Sequence, residues 1–123
     1  MAEPIRVVLV DDHPLFRAGS AATIAEAEDM EVVGQATTGD EVIQKCQSLH
    51  PDVLLLDLSM PGMVPGEIVA GLQRECPDTC ILVLSAFSED VYVYQMMAAG
   101  VSGYLLKDEA AEMVVNAIRI VAR

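Results

Sequence analysis

Short apolar runs recur along the chain, and each is followed by a longer segment of helical spacing. Ile5 to Val10 is apolar except for Arg6; Val32 to Ala36, Val53 to Leu56, Cys80 to Leu84 and the shorter Gly103 to Leu106 follow. Unbroken runs of Val, Ile and Leu too short for a helix predict strands buried on both faces, the kind found in parallel sheets covered by helices. Between them the rhythm changes. Pro14 suits the first turn of a helix whose predicted apolar stripe is Leu15, Ala18, Ala22 and Ala25. Thr38, with Glu41 three residues on, forms a capping box opening a helix that carries Val42, Ile43 and Cys46 and finishes before Pro51. A Pro- and Gly-rich loop precedes a helix from about Glu67 to Glu75. Ser88 is placed to cap the next helix, with Glu89 and Asp90 in its first turn and Gly100 as its stop. Asp108 is expected to cap a last helix in which Met113, Ala117 and Val121 share a face beside Val114 and Ile118.

The pattern is βα repeated five times without a linker or a solenoid-type repeat. Strands alternating with helices imply a parallel sheet with right-handed crossovers, hence one three-layer α/β domain. The 123 residues suit a single core. No apolar run approaches the roughly 20 residues of a membrane span, and Met1-Ala2-Glu3-Pro4 lacks the basic start of a signal peptide, so the expected location is cytosolic. A net charge of −12 argues against direct contact with nucleic acid and favours a divalent cation or a basic partner surface. Cys46, Cys76 and Cys80 are odd in number, lack the spacing of a zinc site and are expected as free, semi-buried thiols.

Chemistry concentrates where the strands end. Strand 1 closes on Asp11 and Asp12, strand 3 on Asp57, strand 4 on Ser85 and strand 5 on Lys107. Any one of these has a plain structural role, such as Asp57 capping its own turn. If strand 1 lies beside strand 3, as in the flavodoxin-like order 2-1-3-4-5, the three carboxylates converge at the carboxyl edge, where open α/β sheets bind ligands. Converging carboxylates repel one another unless a cation lies among them. A hard oxygen site with few protein ligands suits Mg²⁺, which keeps part of its water shell and leaves room for a phosphoryl oxygen. Lys107 adds a positive charge and Ser85 a hydroxyl donor. The set suits phosphoryl transfer onto the carboxylate of Asp57.

Val10-Asp11-Asp12-His13-Pro14, the segment Val53 to Pro61 with Gly62, and Gly103-Tyr104-Leu105-Leu106-Lys107-Asp108 together resemble the receiver domain of two-component response regulators. The wording Asp-Asp-His-Pro-Leu-Phe-Arg-Ala-Gly and Gly-Tyr-Leu-Leu-Lys-Asp is similar to the subgroup that carries a LuxR-type helix-turn-helix output domain. The resemblance implies a flavodoxin-like (βα)5 sandwich and Mg²⁺ held by Asp11, Asp12, Asp57 and the backbone carbonyl of Ser59. It also implies phosphate accepted on Asp57 from a sensor histidine kinase, contacts to it from Ser85 and Lys107, and a switch formed by Ser85 and Tyr104. Such a domain catalyses only its own phosphorylation and dephosphorylation, pairs with a second copy in some settings, and reaches DNA only through an output domain. It resides in the bacterial cytoplasm and does not engage the membrane. Residues 1–123 hold a receiver without such an output domain, so both a receiver cut from a longer transcription regulator and a stand-alone receiver stay open.

Two departures from the family pattern stand out. Met63-Val64-Pro65-Gly66-Glu67 replaces the usual loop after strand 3, where Pro65 can open a helix and Gly66 weakens its first turn by about 0.5–1 kcal/mol relative to Ala. Asp108 stands where many receivers have Pro. His13 is expected to orient the first helix beside the acidic pair, His50 to be a solvated loop residue, and Met96 and Met97 to pack. A hydrolase of the haloacid dehalogenase type would want a second acid two residues after its nucleophile, where this chain has Ser59. An interaction module that has lost its chemistry should lack part of the polar set, which is complete here.

Overall fold

The computed structural model describes residues 3–58, 64–86 and 90–122, save the side chains at 90, 92 and 110–112. Five strands form one parallel sheet: β1 (Ile5–Val10), β2 (Met30–Ala36), β3 (Val53–Asp57), β4 (Cys80–Ser85) and β5 (Gly103–Leu106), in the order β2-β1-β3-β4-β5. The helices between them are α1 (Pro14–Ala25), α2 (Gly39–Leu49), α3 (Pro65–Glu75) and α4 (Asp90–Ala99), with α5 (Ala110–Val121) last. This is the flavodoxin-like arrangement expected from the sequence.

Alternation along each strand sorts the core into two layers. Val8, Val10, Leu54, Leu56, Ile81 and Val83 pack against Val42 and Cys46 of α2, Val69 and Leu72 of α3, and Met96 of α4. Val7, Leu9, Leu55, Leu82 and Leu84 face the other way, onto Ile24 of α1 and Val114 and Ile118 of α5. Every residue of β3 is buried because the strand is covered on both faces and flanked by β1 and β4. Gly71 lets α3 approach α2 closely, since a Cβ there would lie 2.6 Å from Cδ1 of Ile43. Arg119 of α5 donates to both carboxylate oxygens of Asp29, at 2.6 and 2.9 Å, and ties the last helix to the start of β2.

Several local expectations need correction. The predicted α1 stripe of Leu15, Ala18, Ala22 and Ala25 faces solvent, and Leu15 is 91% exposed. The inward face is Phe16, Ala21 and Ile24, because two large side chains gain more from burial than one leucine and three alanines do. β2 begins two residues earlier than expected, and its pairing with β1 shifts register between Val7 and Val8. At α2 the capping box forms only in part: Thr38 donates its hydroxyl to the Glu41 carboxylate at 3.1 Å and makes no side-chain cap bond. Helix α3 starts at Pro65, two residues before the expected Glu67. Asp108 lies inside a 3₁₀ turn, Lys107–Glu109, and Glu109 is the residue before α5. Met113 is half exposed while Val114 and Ile118 are buried. Gly100 does stop α4, with φ of +100° that only glycine adopts without strain. The expected Ser88 cap lies outside the described residues.

Candidate functional site

The site is built at the carboxyl edge of the sheet, where β1, β3, β4 and β5 end side by side. Each of these strands is mainly apolar until its carboxyl end, where a polar side chain closes it (Asp57, Ser85) or follows it directly (Asp11, Lys107), so that side chain is delivered at the edge. Asp11 directly follows β1; its N–H donates to the Ala36 carbonyl at 3.1 Å, and its Oδ1 accepts the backbone N–H of His13 at 2.8 Å. This local turn swings the chain into α1 and points the carboxylate at the edge. Asp57 is the last residue of β3 and fully buried, paired in register with Leu84. Ser85 closes β4, fully buried and opposite Leu106 of β5. Lys107 follows β5 directly.

Strand order brings these residues into contact. The Lys107 ammonium lies 2.9 Å from Oδ2 of Asp57 and 3.6 Å from Oδ2 of Asp11. A fully buried carboxylate is tolerable only with such a partner. Phe16 of α1 positions the lysine from outside: its ring centroid is 4.6 Å from Nζ, a cation–π distance. Arg17, one helical turn after His13, donates to the Asp11 backbone carbonyl at 2.8 Å and so braces the end of β1.

Asp11, Asp12 and Asp57 converge as expected, and His13 joins them. One candidate ligand atom from each lies within 4.8 Å of all the others. Oδ2 of Asp11 and Oδ1 of Asp12 are buried and accept no hydrogen bond among the described residues. Nδ1 of His13 is 3.2 Å from that Asp12 oxygen but is not aligned for a hydrogen bond to it. Three carboxylates against one lysine leave two negative charges in the cluster. Buried, unaligned carboxylate oxygens with a net charge of that sign fit a divalent cation with a taste for oxygen, Mg²⁺ among them. Tyr104 is half-buried on β5, on the same sheet face as Val83 and Met96, two residues before the strand's pairing with Ser85. The Ser59 carbonyl expected at the metal lies outside the described residues.

Phe16 and Arg17 are site residues that the sequence does not single out, and His13, expected chiefly to orient α1, also turns Nδ1 to the three carboxylates. The signal was present in the spacing: positions 13, 16 and 17 share one helix face, beginning at the acidic pair.

The sequence profile of the response regulator receiver domain matches residues 7–119. The transcriptional regulatory protein LiaR of Bacillus subtilis is 41% identical over 119 residues, which are 97% of this chain and 56% of LiaR. The chain spans little more than half the length of the curated relatives it matches. Among solved structures, the receiver domain of the response regulator NarL from Mycobacterium tuberculosis superposes with a TM-score of 0.91 at 37% identity, covering 98% of each chain. RcsB of Salmonella enterica serovar Typhimurium, solved bound to promoter DNA in the presence of a beryllofluoride phosphomimetic, superposes with a TM-score of 0.86 at 25% identity, over 97% of this chain and 99% of that one.

Proposed function

This chain belongs to the response regulator receiver domain family, and from that premise we propose that Asp57 accepts a phosphoryl group from a sensor histidine kinase and that the modified domain switches the output of a transcription regulator. The observation that carries the proposal is a fully buried carboxylate at the end of β3, held by Lys107 at 2.9 Å beside two carboxylate oxygens without hydrogen bonds among the described residues.

The residues divide the work. A carboxylate oxygen of Asp57 forms a bond to phosphorus as the bond from phosphorus to the donor's leaving group breaks, and the leaving group departs with a proton. Lys107 stays beside the acceptor and balances part of the nearly two negative charges that the phosphoryl group brings. Ser85, at the neighbouring strand end, donates its hydroxyl to a phosphoryl oxygen. Asp11, Asp12 and Asp57 would hold Mg²⁺, with the Ser59 carbonyl completing the set; bound there, the ion would neutralise charge on the transferring group. The domain's own chemistry is confined to gaining and losing this group.

Partners follow from the surface and the relatives. Leu15 and Phe16 of α1, Val114 of α5 and Lys107 line one groove beside the site, an apolar approach for the kinase. Helix α4 carries apolar side chains both inward and outward: Met96 is buried, while Val91, Tyr94 and Met97 are exposed, which suits a partner or a second copy of the chain. The −12 charge has the wrong sign for DNA, so DNA contact is assigned to an output domain in the remainder of a full-length protein, as the length of the relatives suggests. No helix of the described residues is long and apolar enough to cross a membrane, and the proposed setting is the bacterial cytoplasm.

Intact-mass measurement tests the chemistry. With a small phosphodonor and Mg²⁺ the chain should gain the mass of one phosphoryl group, and Asp57→Asn should gain none. An equal gain in the Asn variant would move the acceptor elsewhere.

A further inference from the structure

His13 stands at the N-terminus of α1 but does not use its side chain as a cap. Its ring turns inward. Nδ1 lies 3.1 Å from Oδ1 of Asp11, 3.2 Å from Oδ1 of Asp12 and 3.5 Å from Oδ2 of Asp57. Ligand atoms bound roughly 2.1 Å from one octahedral ion stand about 3 Å apart along each edge of the octahedron. The three separations are of that size, and they radiate from a single nitrogen. A second observation is independent of the ring: Oδ2 of Asp11, on a side chain only 5% exposed, is buried in the same cluster with no hydrogen bond among the described residues. The Lys107 ammonium, 3.6 Å away, gives that oxygen a charge contact but no hydrogen bond, and a buried carboxylate oxygen gains from a closer positive partner.

We propose that His13 is a ligand of this site through Nδ1, and that the site therefore prefers a first-row transition ion such as Mn²⁺ or Co²⁺ to Mg²⁺. This rests on the reading above that Asp11, Asp12 and Asp57 hold a divalent cation. Mg²⁺ favours oxygen and retained water, whereas an imidazole nitrogen ranks Mn²⁺ and, more strongly, Co²⁺ above it. Nδ1 has one lone pair, and Lys107 lies 3.2 Å from it. Ligation takes that lone pair and leaves Lys107 to Asp57, at 2.9 Å, where the transfer chemistry needs it. The ring is 55% exposed, so an ion from solvent reaches it without rearrangement of the core.

The experiment is metal binding to the full chain without a phosphodonor. Pulsed electron paramagnetic resonance of the Mn²⁺-loaded chain should show coupling to an imidazole nitrogen, retained in His50→Asn and lost in His13→Asn and His13→Ala. The Asn variant keeps a side chain well suited to the helix N-terminus, so the fold is preserved. Calorimetry should find Mn²⁺ at least about tenfold tighter than Mg²⁺ in the wild type, with His13→Asn losing most of that discrimination. Bound Mn²⁺ without nitrogen coupling, or an unchanged Mn²⁺ to Mg²⁺ ratio in His13→Asn, would overturn the role of His13. A wild-type chain that binds neither ion would overturn the divalent-cation site itself.

Discussion

At the scale of single residues, the two sides of the sheet treat polar groups oppositely. The carboxyl edge presents charge, while Cys46 is a polarisable group kept neutral. Cys46 is 1% exposed on the inner face of α2; burial first, then the neighbouring Cys76 thiol, pushes it up to about 12 from an ordinary value of 9.0. Burial likewise raises Cys76. The folded chain therefore holds the Cys46 proton more tightly than the unfolded chain. That contribution to stability is complete below about pH 9 and disappears as the pH climbs towards 12. Because the thiolate is the nucleophile, iodoacetamide at pH 8 should label the half-buried Cys80 first and Cys46 last. Mass mapping of the labelled peptides checks the order. Equal rates at Cys46 and Cys80 in the folded chain would contradict the burial argument.

Among the elements, α1 is the one whose orientation matters most for the site, because His13, Phe16 and Arg17 reach the site from its first turn. That orientation is anchored by Ile24, fully buried one end of the helix away, and not by Leu15. Ile24→Ala should cost about 2–5 kcal/mol by urea denaturation, the range for deleting a buried branched side chain. Leu15→Ser should change stability by no more than about 0.5 kcal/mol, as an exposed position does. A large loss at Leu15 with little at Ile24 would mean that the helix sits rotated by one residue. A change confined to phosphotransfer from the kinase in Leu15→Ser would place Leu15 on the proposed docking groove.

For the whole molecule, the question is how charge at one strand end becomes a message at the surface. Ser85 and Tyr104 occupy neighbouring strands on one sheet face, and Tyr104 is half-buried against the cluster that includes Val83, Met96 and Val101. An aromatic ring with a polar tip is tolerable both inside and outside, and we propose Tyr104 as a two-state element rather than a continuously deformable one. Once Ser85 engages the phosphoryl group, Tyr104 is expected to change position and with it the exposed band of α4. Ring NMR signals of Tyr104 with and without beryllofluoride measure this. The signals should shift in the wild type, and Ser85→Ala should bind the mimic yet shift Tyr104 less. Equal shifts in both would break the link.

Much of this molecule is legible in local pattern. The central runs of β3 and β4 announce a parallel sheet because a strand covered on both faces must be apolar nearly throughout, whatever covers it. Asp11, Asp12, Asp57, Ser85 and Lys107 are legible for the same reason: each is the polar residue at which a buried strand stops. Wherever two local choices were nearly equal, only the tertiary structure decided. Leu15, Ala18 and Ala22 make as good a stripe as Phe16, Ala21 and Ile24 until the sheet supplies a surface that accommodates the larger pair. Asp108 suits a helix start, but the 3₁₀ turn Lys107–Glu109 takes it in and leaves Glu109 as the residue before α5. The meeting of Nδ1 of His13 with Asp57, and of Cys46 with Cys76, has no local signature at all. Those contacts exist because β3 lies beside β1 and α3 beside α2, and adjacency between segments distant in the chain is a property of the packed sheet alone.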